Sequence, residues 1–401
     1  MKFYGNDRKK KTKPARGRRP LVIVLVAVFV IIIAGIIFVN RFLKPPEHDP
    51  GFVNRNPTVT KNPDSDEPDD FDGVPLTIDG NNRRPGVYTF LIVGMDHGYE
   101  GINTDTILLG MIDTNNKDVN VASIPRDTLV NVPWKMKKMN TYYAHTREPD
   151  INELIKGIYD LAGIPVDCYA VVDFEAFVAL VEAIGGVDFD IPYRMEYYDP
   201  DDLTLDINFY PGMQRLNGEQ ALQVVRFRGK GTDTQRIELQ QEFLKTLAKK
   251  MLTPASLFRI GDYARIFEEY VDTNLDYSQI FWFMREALRL DPDEIDFLTL
   301  PRTLDVWIQD FSYVTVIVDE WVEMINKHLN PFTYEIKAED LNILTLNPDV
   351  PFVYGDDWEI RVSYPHQLIT TRGEFKGDMS EFSDGRFTFD EEDKYDPIPN
   401  S

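Results

Sequence analysis

Cysteine is almost missing from this chain: Cys168 stands alone in 401 residues. An intrachain disulfide is therefore excluded, and whatever folds must be held by an apolar core, for which 43% hydrophobic residues are enough. In "VDCYAVVDF" the thiol lies inside an apolar, strand-like run, which marks a buried small side chain and not a nucleophile. Histidine is scarce too. The five present show no zinc spacing, with His48, His97 and His145 isolated from one another. No G-x-x-x-x-G-K-[ST] loop occurs, which argues against an ATPase or GTPase of that class. No G-x-S-x-G elbow occurs either, which argues against the serine hydrolases built on it. Positive charge is also short: 43 Lys and Arg face 66 Asp and Glu, for a formal net charge of -23 at pH 7. So acidic a chain is no general nucleic-acid binder.

The positive charge that exists is gathered at one end. Residues 1–20, "MKFYGNDRKKKTKPARGRRP", are strongly basic, and "LVIVLVAVFVIIIAGIIFV" follows from Leu21 to Val39, 19 residues without a charge. At about 1.5 Å rise per residue such a run spans a bilayer as one helix. We expect a transmembrane helix over 21–40, with the basic tail in the cytoplasm and the acidic remainder outside. A cleaved signal peptide is the alternative, but no small-x-small site follows the run. Residues 41–84 contain "KPPEHDPGFVNRNPTVTKNPDSDEPDDFDG", rich in Pro, Asn and Asp, and read as an extracellular flexible tether.

Order is expected to begin near Val87. "VYTFLIVGMD", "TDTILLGMID" and "DVNVASIP" read as strands, followed by a helix from Asp150 to Gly163, where the glycine stops it. "VDCYAVVDF" is a further strand. "FEAFVALVEAIGG" has helical spacing and ends in Gly185-Gly186, before the strand "VDFDIP". Asn217 is a cap for a helix ending near Arg228, and Asp233 a cap for the next. "YSQIFWFMREALRL" and "VDEWVEMINKHLN" are helices on either side of a strand-like "EIDFLTLP". Strands alternating with helices predict a layered α/β/α domain with a central mixed sheet over 85–330. Strand order does not follow from the sequence. Residues 331–401 read as an acidic extension, partly disordered, with short strand-like pieces such as "WEIRVSY".

In an acidic exported domain the placement of arginines carries information. Arg226, Arg228, Lys230 and Arg236 fall within eleven positions of "VVRFRGKGTDTQR", and Gln240 lies four residues after Arg236, on the same helical face. Two helix ends can thus place planar guanidinium forks around one anion, although a solvated basic loop gives the same letters. In "NVASIPRDTLVNVP", Arg126 follows a strand directly, as an anion ligand or as a turn residue. Asp96 ends the first strand and Asp105 begins the second, so a short loop could bring both to one rim of the sheet. Two carboxylates beside several arginines suit Mg²⁺ and a pyrophosphate, because Mg²⁺ takes few protein carboxylates and completes its shell with phosphate and water.

"FLIVGMD", "TDTILLGMID", "SIPRDTLV", "KMNTYYA", "LVEAIGGVDFDIP", "LNGEQALQVVRFR" and "TDTQRIELQQ", in this order, resemble the LytR-CpsA-Psr family of membrane-anchored cell-envelope proteins. The resemblance runs from about 87 to 250 and more loosely to 330. It implies a transferase that moves a glycopolymer from a polyprenyl-pyrophosphate carrier to peptidoglycan through a phosphodiester, with Mg²⁺, at the outer face of the cell membrane. Motif by motif it implies catalytic roles for Asp96, Asp105 and Arg126, with Asp105 and Asp96 on the metal. Arg126, Arg226, Arg228, Arg236 and Gln240 would bind pyrophosphate, supported by Asp127, Lys138 and Asp233. It further implies an apolar tunnel for the isoprenoid between the sheet and helices such as 173–184. The chain departs from the family pattern at Gly98, at Asn103-Thr104 and at Leu239, where arginine or Arg-Ser is common. A noncatalytic lipid-binding or regulatory protein, and a lipid-pyrophosphate hydrolase, are the competing readings.

Overall fold

Alternation places Val87, Thr89, Leu91 and Val93 on one buried face of strand β1 (Val87–Gly98), at the middle of the domain. β1 turns back through β2 (Gly101–Asp113), and β2 pairs with β3 (Asp118–Ile124), both pairings antiparallel. β4 (Cys168–Val172) adds in parallel to the other edge of β1, β9 (Val271–Thr273) continues antiparallel, and β10 (Ile295–Thr299) closes the far edge in parallel with β3. The resulting order is β10-β3-β2-β1-β4-β9, the mixed sheet expected from the sequence, with the strand order it could not supply.

The computed structural model describes Pro45 and residues 82–372, apart from 99–100, 145–148, 199–205, 228–232, 254–259, 309–310, 352, 355–358 and 363–364. The expected span at 21–40, the basic tail, nearly all of the tether and the acidic end from 373 lie outside the described residues. Among the described residues no helix is long and apolar enough to cross a membrane.

Helices cover both faces of the sheet. α1 (Ile151–Ala162) buries Leu154, Ile155, Ile158 and Leu161 in one core with Leu91, Leu109 and Trp321. Gly163 takes φ 66° as the left-handed stop expected of it, while Asp150, read as the first helical residue, is instead the cap and accepts from the Asn152 amide. α2 (Phe174–Ala183), capped by Asp173, joins α3 (Gly218–Arg226) and α4 (Asp233–Met251) in a second core. Asn217 caps α3 through a reciprocal box with Gln220, a device worth about 1 kcal/mol. α4 begins at Asp233 itself, one residue earlier than a cap at that position implies. β5 (Val187–Ile191) pairs with β8 (Gly212–Leu216), and β6 (Met195–Tyr197) with β7 (Ile207–Phe209), as two small ribbons on this core. α5 (Ile260–Tyr270) lends it Tyr263. α6 (Tyr277–Ala287) packs Trp282 and Phe283 edge-on against Tyr88, on the opposite side of β1 from Leu91.

Beyond β10, β11 (Arg302–Ile308) and β12 (Phe311–Val316) form an antiparallel pair, and α7 (Val318–Met324) returns Trp321 to the first core. The part of 331–401 that is described carries four short strands: β13 (Leu344–Leu346), β14 (Val353–Tyr354), β15 (Ile360–Val362) and β16 (Leu368–Thr370). β15 lies within "WEIRVSY" and extends the β11–β12 sheet in parallel, while β13 pairs with β16. They enclose a third core of Val306, Ile308, Tyr313, Leu344, Leu346, Ile360, Val362 and Leu368, closed from the other side by Leu129. The thiol of Cys168 is buried, and burial pushes its pKa up, as expected of a small core side chain.

Candidate functional site

β1, β3, β4 and β10 run in the same direction, so their carboxyl ends form one rim, the usual place for ligands in layered α/β sheets. β2 enters the sheet at this rim. Its register against β1 slips there: Gly94 faces Thr106 but Met95 faces Thr104, leaving Asp105 as the extra residue of a β-bulge. A bulge bends the strand and re-aims a side chain. Asp105 is thereby released from the ladder and stands at the rim, with Asp96 opposite Asn103 on the adjoining stretch.

Arg126 follows β3 and points to the same place. Its Nη1 donates to Asp105 Oδ1, and its Nε lies 3.5 Å from Asp127 Oδ2. Asp127 Oδ1 is in turn 2.8 Å from Lys138 Nζ, which stands over the Tyr313 ring at 5.6 Å. The order Asp105, Arg126, Asp127, Lys138 alternates in sign, so each charge is compensated. Burial disfavours the Arg126 charge, but the Asp105 and Asp127 carboxylates outweigh it and raise the guanidinium above its ordinary value. Backbone bonds hold the segment in shape. Asn140 N donates to Arg126 O at 3.0 Å, Met139 N to Thr128 O at 2.9 Å and Leu129 N to Val314 O at 2.8 Å.

The other basic segment reaches this rim from the side. Phe174 opens α2 immediately after β4, and the Arg226 guanidinium lies 4.4 Å from the centre of its ring. Gln240 donates through Nε2 to Val225 O at 3.0 Å, tying α4 to the end of α3. Gln241 does the same for β10, donating to Leu298 O at 2.9 Å and Thr299 Oγ1 at 3.0 Å. These two amides tie α4 to the end of α3 and to the end of β10. The structure thus joins Asp105, Arg126, Asp127 and Lys138 in one network and sets Arg226 beside Phe174, just past the carboxyl end of β4. It makes Gln240 a brace between two arginine-bearing helices. Arg228 lies outside the described residues; at Asp96 and Asp233 the backbone is described and the side chain is not.

Sequence reasoning missed three contributors: the bulge at Asp105, the Phe174 ring under Arg226, and Gln241. Only Gln241 carried a local signal, as the second of two adjacent glutamines. Among the described residues no group of three or more His, Cys, Asp or Glu side chains gathers as a metal site. Mg²⁺ is commonly held by one or two carboxylates with phosphate and water. Asp105 is about one-third exposed at the bulge, and its Oδ1 accepts from Arg126.

The model of the LytR_cpsA_psr family matches residues 54–330. The chain belongs to this family. It is 29% identical over 202 residues to the polyisoprenyl-teichoic acid–peptidoglycan teichoic acid transferase TagV of Bacillus subtilis, covering 48% of this chain and 51% of the relative. It is 30% identical over 209 residues to the regulatory protein MsrR of Staphylococcus aureus, covering 51% of this chain and 61% of the relative. The chain therefore spans about half to three-fifths of these curated relatives. Among solved structures, B. subtilis TagV superposes with a TM-score of 0.54 at 24% identity, over 63% of this chain and all of TagV as solved. TagT bound to LIIa-WTA gives 0.51 at 20% identity, over 62% of this chain and 92% of that one. At these identities the superpositions establish a shared fold. The family match ends at Pro331's neighbour, residue 330, so β13–β16 lie beyond it.

Proposed function

We propose that this chain is a Mg²⁺-dependent phosphotransferase that moves a glycopolymer from a polyprenyl-pyrophosphate carrier to peptidoglycan. The observation that carries the reading is the charge network at the rim, which joins the Asp105 bulge, Arg126, Asp127 and Lys138. Arg126, Arg226 and Arg236 bind the pyrophosphate, and Arg228 joins them by its place in the motif. Guanidinium forks suit phosphate oxygens and, fixed beforehand, stabilise charge that grows on the leaving phosphate. Asp105 and Asp96 would hold Mg²⁺, which when bound draws charge from the oxygen that leaves. A sugar hydroxyl of peptidoglycan attacks the sugar-linked phosphorus. The new P–O bond forms as the bond to polyprenyl phosphate breaks, and the hydroxyl proton passes to a carboxylate, with Asp96 the first candidate. The isoprenoid would lie in an apolar tunnel between the sheet and helices such as α2.

The test is transfer by the purified exported part, measured against Mg²⁺ concentration with peptidoglycan fragments present or withheld. Transfer to the fragment is expected. Release of the glycopolymer phosphate to water at the same rate in both arms points to a hydrolase, and binding without turnover to a lipid-binding or regulatory protein. Asp105→Asn keeps the size of the side chain and removes its charge, so half-maximal Mg²⁺ should rise about tenfold, the equivalent of ~1.4 kcal/mol. Wild-type behaviour of this variant at low Mg²⁺ takes Asp105 off the metal.

The uncharged run at 21–39 and its basic flank support a single-pass anchor with the catalytic domain outside. Protease added to intact cells should remove the chain beyond residue 45 and spare residues 1–20. Protection of the C-terminus reverses the orientation.

A further inference from the structure

α2 and α3 lie against each other in opposite directions, and the two ends of the pair are joined by different contacts. At the first turn of α3, Gly218 N donates to Glu182 Oε1, on the last turn of α2, at 2.8 Å. A helix start leaves such amides without an intrahelical acceptor, and here the neighbouring helix supplies one. The backbones also approach closely at this point. A Cβ on Gly218 would lie 2.6 Å from Val178 O and 3.0 Å from Val178 Cα, too near for a side chain of any kind. Val181 on α2 and Ala221 and Val224 on α3 are fully buried in the same core. The register of the pair is therefore set at its Gly218 end.

At the other end Arg226, the last residue of α3, meets Phe174, the first residue of α2. The guanidinium carbon stands over the ring, 4.4 Å from its centre, well within the ~6 Å over which an aromatic face attracts a cation. The ring is placed by the central sheet. Asp173, between β4 and Phe174, caps α2 by accepting from Ala176 N at 2.8 Å. From α4, Gln240 steadies the turn that carries Arg226 by donating to Val225 O at 3.0 Å. The chemistry of this seat differs from that at Arg126, which lies between the Asp105 and Asp127 carboxylates. An aromatic face orients a cation without adding a negative charge to the rim. The N–H donors of a guanidinium lie in its own plane, so a ring against its face leaves that edge to meet phosphate oxygens.

We propose that Phe174 is a positioning residue. Its ring seats the Arg226 guanidinium, and the close contact at Gly218 sets the α2–α3 register that brings the two together. The role rests on the reading of Arg226 as a pyrophosphate ligand, whereas the seat itself does not.

Full-length protein purified in detergent is compared with Phe174→Leu, Phe174→Tyr, Gly218→Ala, Arg226→Ala and the double variant Phe174→Leu with Arg226→Ala. Thermal melts confirm that each is folded. Calorimetry reads the affinity for a short-chain polyprenyl pyrophosphate. Without ligand, NMR of protein labelled with ¹⁵N-arginine reads the Nε–Hε resonance of Arg226, assigned by its loss in Arg226→Ala. A proton held over a ring is shifted upfield by the ring current, so Phe174→Leu should return this resonance towards its ordinary position. The same variant should bind about fivefold more weakly, and Phe174→Tyr, which keeps the ring, within about twofold of wild type. Gly218→Ala should follow Phe174→Leu in both measurements. In the absence of the arginine, Phe174→Leu should change affinity no further, because its effect passes through that side chain. Additive losses in the double variant overturn the positioning role, as does an equal loss in Phe174→Leu and Phe174→Tyr. A resonance that Phe174→Leu leaves in place overturns the seat. Wild-type affinity in Arg226→Ala counts against the pyrophosphate reading of that arginine and removes the role of Phe174, while the resonance still reports the seat.

Discussion

Arg126→Ala should lower transfer by about 10- to 150-fold and weaken polyprenyl-pyrophosphate binding, while the domain stays folded. Losing one charge-assisted hydrogen bond costs about 1.5–3 kcal/mol, which sets that range. The side chain does more than touch an anion, because it lies between Asp105 and Asp127. Without it, the two carboxylates at the rim are left with Lys138, paired to Asp127 at 2.8 Å, and the local field turns against a pyrophosphate. Arg126→Lys should recover part of the binding but not the rate, since an ammonium keeps the charge and loses the planar fork. The pH profile supplies a second check. A raised guanidinium contributes fully below its unfolded value and loses that contribution only as pH rises through the higher folded one. Arg126 therefore stays charged over the working range, and any acid loss of activity belongs to other groups. Steady-state kinetics and calorimetric titration of the folded variants decide the matter. Unchanged constants for Arg126→Ala return this arginine to the role of a turn residue.

The sequence was most informative where structure is set by near neighbours. The cap at Asn217, the glycine stop at Gly163 and the alternation in β1 are written within a few residues of where they act. The motif arginines were legible because an acidic chain placed them next to strand and helix ends. The Asp105 bulge was not, since it exists only in the register between two strands, and no single strand shows it. The third core was harder still. β13 and β16 have three residues each, too few to display a period, and their partner Leu129 lies more than 200 positions upstream. A composition rich in Asp, Pro and Gly describes the loops between these strands and hides the apolar residues that hold them.

That third core motivates the second large effect. Leu344, fully buried, shares it with Leu129, three residues after Arg126. Through β12 the core is joined to the Arg126 segment directly: Leu129 N donates to Val314 O at 2.8 Å, and Val314 N to Asp127 O at 3.0 Å. Residues beyond the family match thus pack against Leu129 and bond to β12, where Thr345 Oγ1 donates to Val316 O at 2.6 Å. Leu344→Ala should cost about 2–5 kcal/mol of stability from the cavity alone. The larger consequence is positional, because a displacement of about 1 Å in a binding group can lower the rate ~10²-fold. We expect transfer by the folded variant to drop on that order, with faster hydrogen exchange at the Leu129, Val314 and Asn140 amides. Phe243→Ala is the control, a fully buried residue of the second core whose loss should destabilise the domain without loosening those three amides. If Leu344→Ala lowers the melting temperature but leaves exchange at these amides and pyrophosphate affinity as in wild type, the C-terminal strands stabilise the domain without aiming the arginine.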